Sequence, residues 1–346
     1  MQRRIGSWKI VAAGVLLAVG AVSTSGAEER VLEIGRWYPS LESGLTLTQS
    51  VYSDNWSGGD KGSIVWTFIT NAGLESQLRE NVNWNNTLKL AFGQTHQQTA
   101  NAAGERSWER PEKSTDLVDL ETVLRLTLGR AIDPVVSARL ETQFQDASDV
   151  QGRTLSFNPL KIKGSAGIAR QIFNEDNRNL LTRLGFAYRW ASRRLFTGDA
   201  PDWATDAKST NDGGIEWVTD TRMKLLNNRV SWTSKLTVFQ PVFYSEKDSF
   251  DNLTAADLAA NDLDADLADY TMAPDIDWEN IFTSQITKIL SVNLYLRWVY
   301  DKYDNSVPAV VSGDGTLANP SDLRAATRKS VQIKQTLALG LTYRFL

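Results

Sequence analysis

Hydrophobic and polar residues alternate with a period of two along most of this chain. Clear runs are Val82-Asn-Trp84-Asn-Asn86-Thr-Leu88-Lys-Leu90-Ala-Phe92 and Val118-Asp-Leu120-Glu-Thr122-Val-Leu124-Arg-Leu126-Thr-Leu128. Leu180–Trp190 and Val292–Tyr300 repeat the pattern. Alternation sustained over about ten residues is the length a tilted strand needs to cross a bilayer. Twelve segments qualify: 41–52, 63–79, 82–97, 113–129, 135–147, 159–173, 179–196, 214–226, 229–243, 276–289, 291–304 and 330–346. Tight connections such as Arg79-Glu-Asn and Asn227-Asn228 alternate strictly with long ones rich in Gly, Asp, Asn, Ser and Pro. That alternation predicts an all-β fold: a transmembrane antiparallel up-and-down β-barrel of about twelve strands. Short turns would face the periplasm and long loops the exterior. An even strand number puts both termini in the periplasm. Trp66, Trp84, Trp190, Trp217, Trp232, Trp278 and Trp298 lie on these segments, several near the ends, where amphipathic rings suit the lipid–water boundary.

The first residues change the picture from an exported protein of any kind to one with a processing site. Arg3, Arg4 and Lys9 precede an apolar run from Ile10 to Val22, and Ser25-Gly26-Ala27 is a small-x-small cleavage pattern. Residues 1–27 are therefore expected to be a signal peptide, residues 28–40 a short periplasmic segment, and residues 41–346 the barrel. The place of residence is the outer membrane of a Gram-negative envelope, with lipid, lipopolysaccharide and the barrel-assembly machinery as partners. The alternating tail ends Tyr343-Arg-Phe345-Leu346, and Tyr343 with Phe345 is the aromatic signature expected to guide insertion. The chain has no Cys and a single His, which removes thiolate chemistry and disulfides and leaves little for a transition metal. An acidic balance, with formal charge −4, argues against nucleic acid. No cofactor is expected.

Four short stretches resemble an uncharacterised family of bacterial outer-membrane proteins known only as a domain of unknown function, the DUF3078 type. They are Asn55-Trp56-Ser-Gly58-Gly59, Leu88-Lys-Leu-Ala-Phe-Gly93, Glu112-Lys113-Ser-Thr-Asp116 and Thr142-Gln143-Phe144. The resemblance spans about residues 45 to 145. It implies an outer-membrane barrel and supplies no activity. Read physically, Trp56, Gly58 and Gly59 form a loop anchor, the glycines permitting a tight turn.

Turning the apolar row of each strand to lipid sends the other row to the lumen. Basic residues there are Lys89, Arg125, Arg139, Lys161, Lys163, Arg183, Arg189, Arg193, Arg222, Lys224, Lys235, Arg297, Lys334 and Arg344. The acids are Glu42, Glu75, Asp119, Glu121, Glu141, Glu216 and Asp220. A basic surplus favours anions in a pore, and predicts passage of small, anionic solutes. The same charges could instead pair and fill the lumen, giving a non-conducting structural barrel; the sequence is compatible with both.

Other chemistry is thin. The loop Ser245–Pro274 is rich in Asp, and Asp262, Asp264 and Asp266 are weak calcium candidates in what reads as a solvated, partly helical acidic loop. His96 is followed two residues on by Gln98, so the Ser a lipase-like strand dyad would need there is missing. Asp199, Asp202 and Asp206 share one outer loop without a distinguishing spacing. An outer-membrane hydrolase is the remote alternative, and the expectation is no enzyme.

Overall fold

The computed structural model describes residues 32–50, 61–100, 106–129, 131–149, 151–175, 177–198, 200–287, 290–311, 317–328 and 330–344. The signal segment 1–27, Trp56, Gly58, Gly59 and Phe345 lie outside these, as do the side chains of Tyr343 and Arg344.

The strands in chain order are β1 (Trp37–Ser50), β2 (Ser63–Arg79), β3 (Val82–Ala100), β4 (Arg106–Trp108), β5 (Glu112–Leu126), β6 (Asp133–Thr142), β7 (Gln145–Asp146), β8 (Leu155–Ser156), β9 (Leu160–Glu175), β10 (Arg178–Phe196), β11 (Thr205–Leu225) and β12 (Val230–Tyr244). Three short helices follow, α1 (Lys247–Asp251), α2 (Ala255–Ala260) and α3 (Leu267–Tyr270). Then come β13 (Asp275–Gln285), β14 (Leu290–Tyr300), α4 (Pro320–Ala326) and β15 (Gln332–Arg344). Twelve long strands make one antiparallel ring in the order β1-β2-β3-β5-β6-β9-β10-β11-β12-β13-β14-β15. It closes because β1 pairs with β2 along one edge and with β15 along the other. The short β4 extends β3, and β7 with β8 forms a loop hairpin.

Polarity is inverted relative to a soluble protein. On β1, Leu45 and Leu47 are 51% and 62% exposed while Glu42 and Thr46 are 7% and 2% exposed. Successive strand residues point to opposite faces, so the apolar row looks outward and the polar row inward on the same strand. Ile162, Ile168, Leu184, Phe186, Ile215, Leu337, Leu339 and Leu341 continue the outer row on other strands. This is an outer-membrane-type barrel.

Aromatic pairs mark two levels of the outer surface. Near the short turns, Trp37 meets Trp84 at 5.3 Å and Trp232 stacks on Phe282 at 6.0 Å. Towards the long loops, Trp66 meets Phe92 at 5.9 Å and Tyr188 meets Phe243 at 6.2 Å. Several indoles also satisfy a polar neighbour on the outer face. Trp84 Nε1 donates to Thr122 (2.7 Å), Trp217 to Thr182 (2.8 Å), Trp232 to Asn280 (3.1 Å) and Trp278 to Ser234 (3.0 Å). Lipid offers no such partner, so each pair removes an unmet hydrogen-bonding group.

Boundaries differ from the expectation where the strands leave the membrane. β1 begins at Trp37, so part of the supposed 28–40 periplasmic segment is barrel wall. β11 begins at Thr205, not 214. Its first residues, Thr-Asp-Ala-Lys-Ser-Thr-Asn-Asp-Gly, lack a lipid-facing row and pair with β10 above the bilayer. β6 ends at Thr142 instead of 147, and β14 at Tyr300 instead of 304. The acidic loop 245–274 is a folded cap instead of a solvated one. Its Phe250, Leu258 and Leu267 share a buried core with Tyr303, Val307, Ala309, Leu323 and Ala326 from the connection after β14. Thr254 caps α2 by a reciprocal box with Asp257.

Candidate functional site

Charged pairs cross the lumen. Lys235 of β12 and Glu121 of β5 stand nearly opposite on the ring, yet Nζ lies 3.2 Å from Oε2. Glu121 also takes Arg183 of β10 at 3.7 Å, and Arg183 reaches Asp220 at 3.1 Å. Lys163 of β9 binds Glu216 of β11 across the intervening strand. Arg139 forks onto Asp119 (2.7 Å) and meets Glu141 (2.9 Å). Lys235–Glu121, Arg183–Glu121 and Lys163–Glu216 join strands that are not neighbours, which is possible only inside the barrel, and together they bridge its middle. One cavity beside Arg183 and Glu216 measures about 20 Å³, room for about one water.

A second layer lies towards the loops. Arg189 joins Asp212 and, at 2.7 Å, Asp275, with its guanidinium 3.8 Å over the Phe239 ring. Arg297 binds Asp277 at 2.7 Å. The cap is fastened to this layer. Asp304 accepts from Lys161 on the far wall at 3.2 Å, and Asn305 Nδ2 donates to Asp212 (2.9 Å) and to the Thr271 carbonyl (3.0 Å).

The predicted basic surplus therefore needs correction. Asp212, Asp275, Asp277 and Asp304 join the lumen acids and take up Arg189, Arg297 and Lys161. The Asp275-Ile-Asp277-Trp-Glu279 alternation carried the signal for the β13 acids; Asp212 was hidden by placing the start of β11 too late. Arg125 donates to Gln171 at 3.3 Å. Among the described residues, Lys89, Arg222 and Lys224 sit on inner rows outside any ion pair, and Lys334 stands over the Tyr295 ring at 5.9 Å. Arg193 Nε has no partner. Arg344 is placed by register opposite Glu42.

The weak calcium candidates Asp262, Asp264 and Asp266 are not drawn together: among the described residues no group of three His, Cys, Asp or Glu could hold a metal ion. Asp264 instead accepts the Asp266 backbone N–H within the cap. His96 packs against Trp108 at 5.0 Å, and Asp202 accepts the Ala204 backbone N–H.

Sequence motifs that looked scattered meet at the rim. The buried Asp116 carboxylate accepts the backbone N–H groups of Phe144 (2.7 Å) and Gln145 (3.0 Å) and pairs with Lys113 at 3.2 Å. Lys113 also donates to Gln143 at 2.7 Å. Phe144 meets Phe92 at 6.2 Å, and the next residue, Gly93, approaches β2 so closely that a Cβ would lie 2.7 Å from the Trp66 carbonyl. This junction pins the end of β6 to β5 and β3.

Residues 47–147 match the family model for a protein of unknown function, DUF3078. The match contains the whole junction. No curated protein matches the sequence. Among solved structures, an outer membrane channel of Pseudomonas putida F1 is similar with TM-score 0.38 and 10% identity, over 91% of this chain and 97% of that one. The translocator domain of the Neisseria meningitidis autotransporter NalP gives 0.35 and 9%, over 89% and 87%. The β domain of the Bordetella autotransporter BrkA gives 0.31 and 8%, over 89% and 98%.

Proposed function

We propose that the protein is an outer-membrane barrel for small solutes whose axial path is shut in this state. The observation that carries the reading is Glu121 holding Lys235 from the opposite wall; the cap over the loop-side mouth adds a second closure. Termini face the periplasm in this reading, lipopolysaccharide surrounds the loops, and the assembly machinery inserts the chain. If the path opens, Lys89, Arg125 and Arg222 bias it towards anions. Planar-bilayer recording tests the proposal. Wild-type protein should be silent or flicker rarely, and Glu121→Gln with removal of the cap loops should give steady, anion-preferring steps. Steady wild-type conductance would overturn the closed reading, and silence of the opened variant would leave a structural barrel. The proposal is non-enzymatic. Lipid or peptide hydrolysis that His96→Ala or Asp202→Ala abolishes would replace it.

A further inference from the structure

Ion pairs cross the lumen, but the wall around it is not paired throughout. β1 pairs with β2 from Trp37 to Ser50 without interruption. Its pairing with β15 covers only Glu42–Leu45 against Leu341–Arg344. Continued in register, Thr46 would face Gly340, and Leu47 would face Leu339. Neither pair forms, and Gln332–Gly340 is bonded to β14 alone. The seam thus parts on its loop-side half. Leu47 is level with Trp66 of the loop-side aromatic belt, so the gap begins at the boundary of the outer leaflet and continues towards the loops. Unpaired strand edges are costly where they border hydrocarbon, which is a reason to expect an occupant at the lower end of the gap.

Behind the gap the inner rows carry apolar side chains on both sides, set among the buried threonines Thr46, Thr67 and Thr336. Val65 lies opposite Thr48 of β1, and Ile69 lies four residues further along the same inner row. Tyr295 lies opposite Thr336 of β15 and touches Ile281. All four are at most 7% exposed. Lys334, on the parted stretch of β15, is exposed and forms no ion pair among the described residues.

We propose that the gap between β1 and β15 is a lateral portal for an amphiphile with one anionic head and an apolar chain. The head group rests at Lys334 and the chain lies between Val65, Ile69 and Tyr295. Entry is from the membrane, so the cap and the ion-paired layers do not obstruct it, and the inference stands apart from whether the axial path conducts.

The absence of Cys makes the seam easy to probe. Leu47→Cys/Leu339→Cys should form a disulfide at least tenfold more slowly than Ser43→Cys/Tyr343→Cys across the paired stretch. Purified protein in phosphatidylcholine nanodiscs is then irradiated with a diazirine-bearing long-chain fatty acid, and adducts are mapped by mass spectrometry. Adducts are expected on the inner-row Val65, Ile69 or Tyr295 besides the outer-row Leu337. Lys334→Gln, a change at an exposed site, should reduce the inner adducts several-fold and leave the outer ones unchanged. Equal disulfide rates, adducts confined to outer rows, or inner adducts indifferent to Lys334→Gln would each overturn the portal.

Discussion

Single side chains hold this barrel where its strands end. Asp116 receives two backbone N–H groups, and its side chain is 1% exposed. Asp116→Ala would leave both donors unmet and should cost about 2–4 kcal/mol; Asp116→Asn, which keeps one acceptor oxygen, should cost less. Urea unfolding in detergent, read as the shift of the midpoint, distinguishes them. Glu121→Gln leaves Lys235 and Arg183 without their shared carboxylate, and about 1–3 kcal/mol of destabilisation is expected by the same measurement. Lys113, Asp116, Gln143 and Phe144 were visible in the sequence as motif letters. Their meeting was not, because it depends on the β5–β6 register, which places Val118 opposite Thr142. Lumen charges were legible as a row, yet partners such as Glu121 and Lys235 are 114 residues apart and follow from closure alone.

At the scale of elements, the membrane-spanning part of each strand could be read directly, since lipid on one face and a polar, ion-paired lumen on the other force a period of two. Above the bilayer both faces of the sheet are wet, the period disappears, and β11 loses its start in the sequence. The cap was missed for a different reason. Its core joins Phe250 and Leu258 to Tyr303 and Leu323 across an intervening hairpin, and no local pattern announces that. Glycines give a sharp test of wall geometry. Gly93→Ala would drive a Cβ onto the Trp66 carbonyl and should cost about 1–3 kcal/mol, whereas Gly164→Ala meets nothing within 4 Å and should be neutral. Heat-modifiability on gels and urea midpoints check the pair.

For the whole molecule, the hold of the cap should depend on pH. Asp301 is pushed up to about 7, first by burial and then by the Asp275 and Asp304 carboxylates, with Arg189 and Lys161 opposing. Asp212 and Arg193 also face this mouth, while Asp304, beside Lys161, is held below the usual carboxylate range. A carboxyl raised in the closed state keeps a proton that the open state releases near pH 4. Its contribution to closure is complete below that value and is lost as pH rises through about 7. Amide exchange in 247–270, corrected for intrinsic rate, should therefore speed up by about a hundredfold between pH 5 and 8, and Asp301→Asn should flatten the profile.

The indole pairs on the outer wall have a consequence for how the molecule rides in its bilayer. Trp84, Trp217, Trp232 and Trp278 direct their N–H groups to neighbouring strands, so those donors are not available to phosphate or glycerol oxygens. Vertical position is then governed by hydrocarbon thickness more than by headgroup chemistry. Refolding yield into vesicles should change with acyl length from twelve to eighteen carbons and stay nearly constant when phosphatidylcholine is exchanged for phosphatidylglycerol of the same chains.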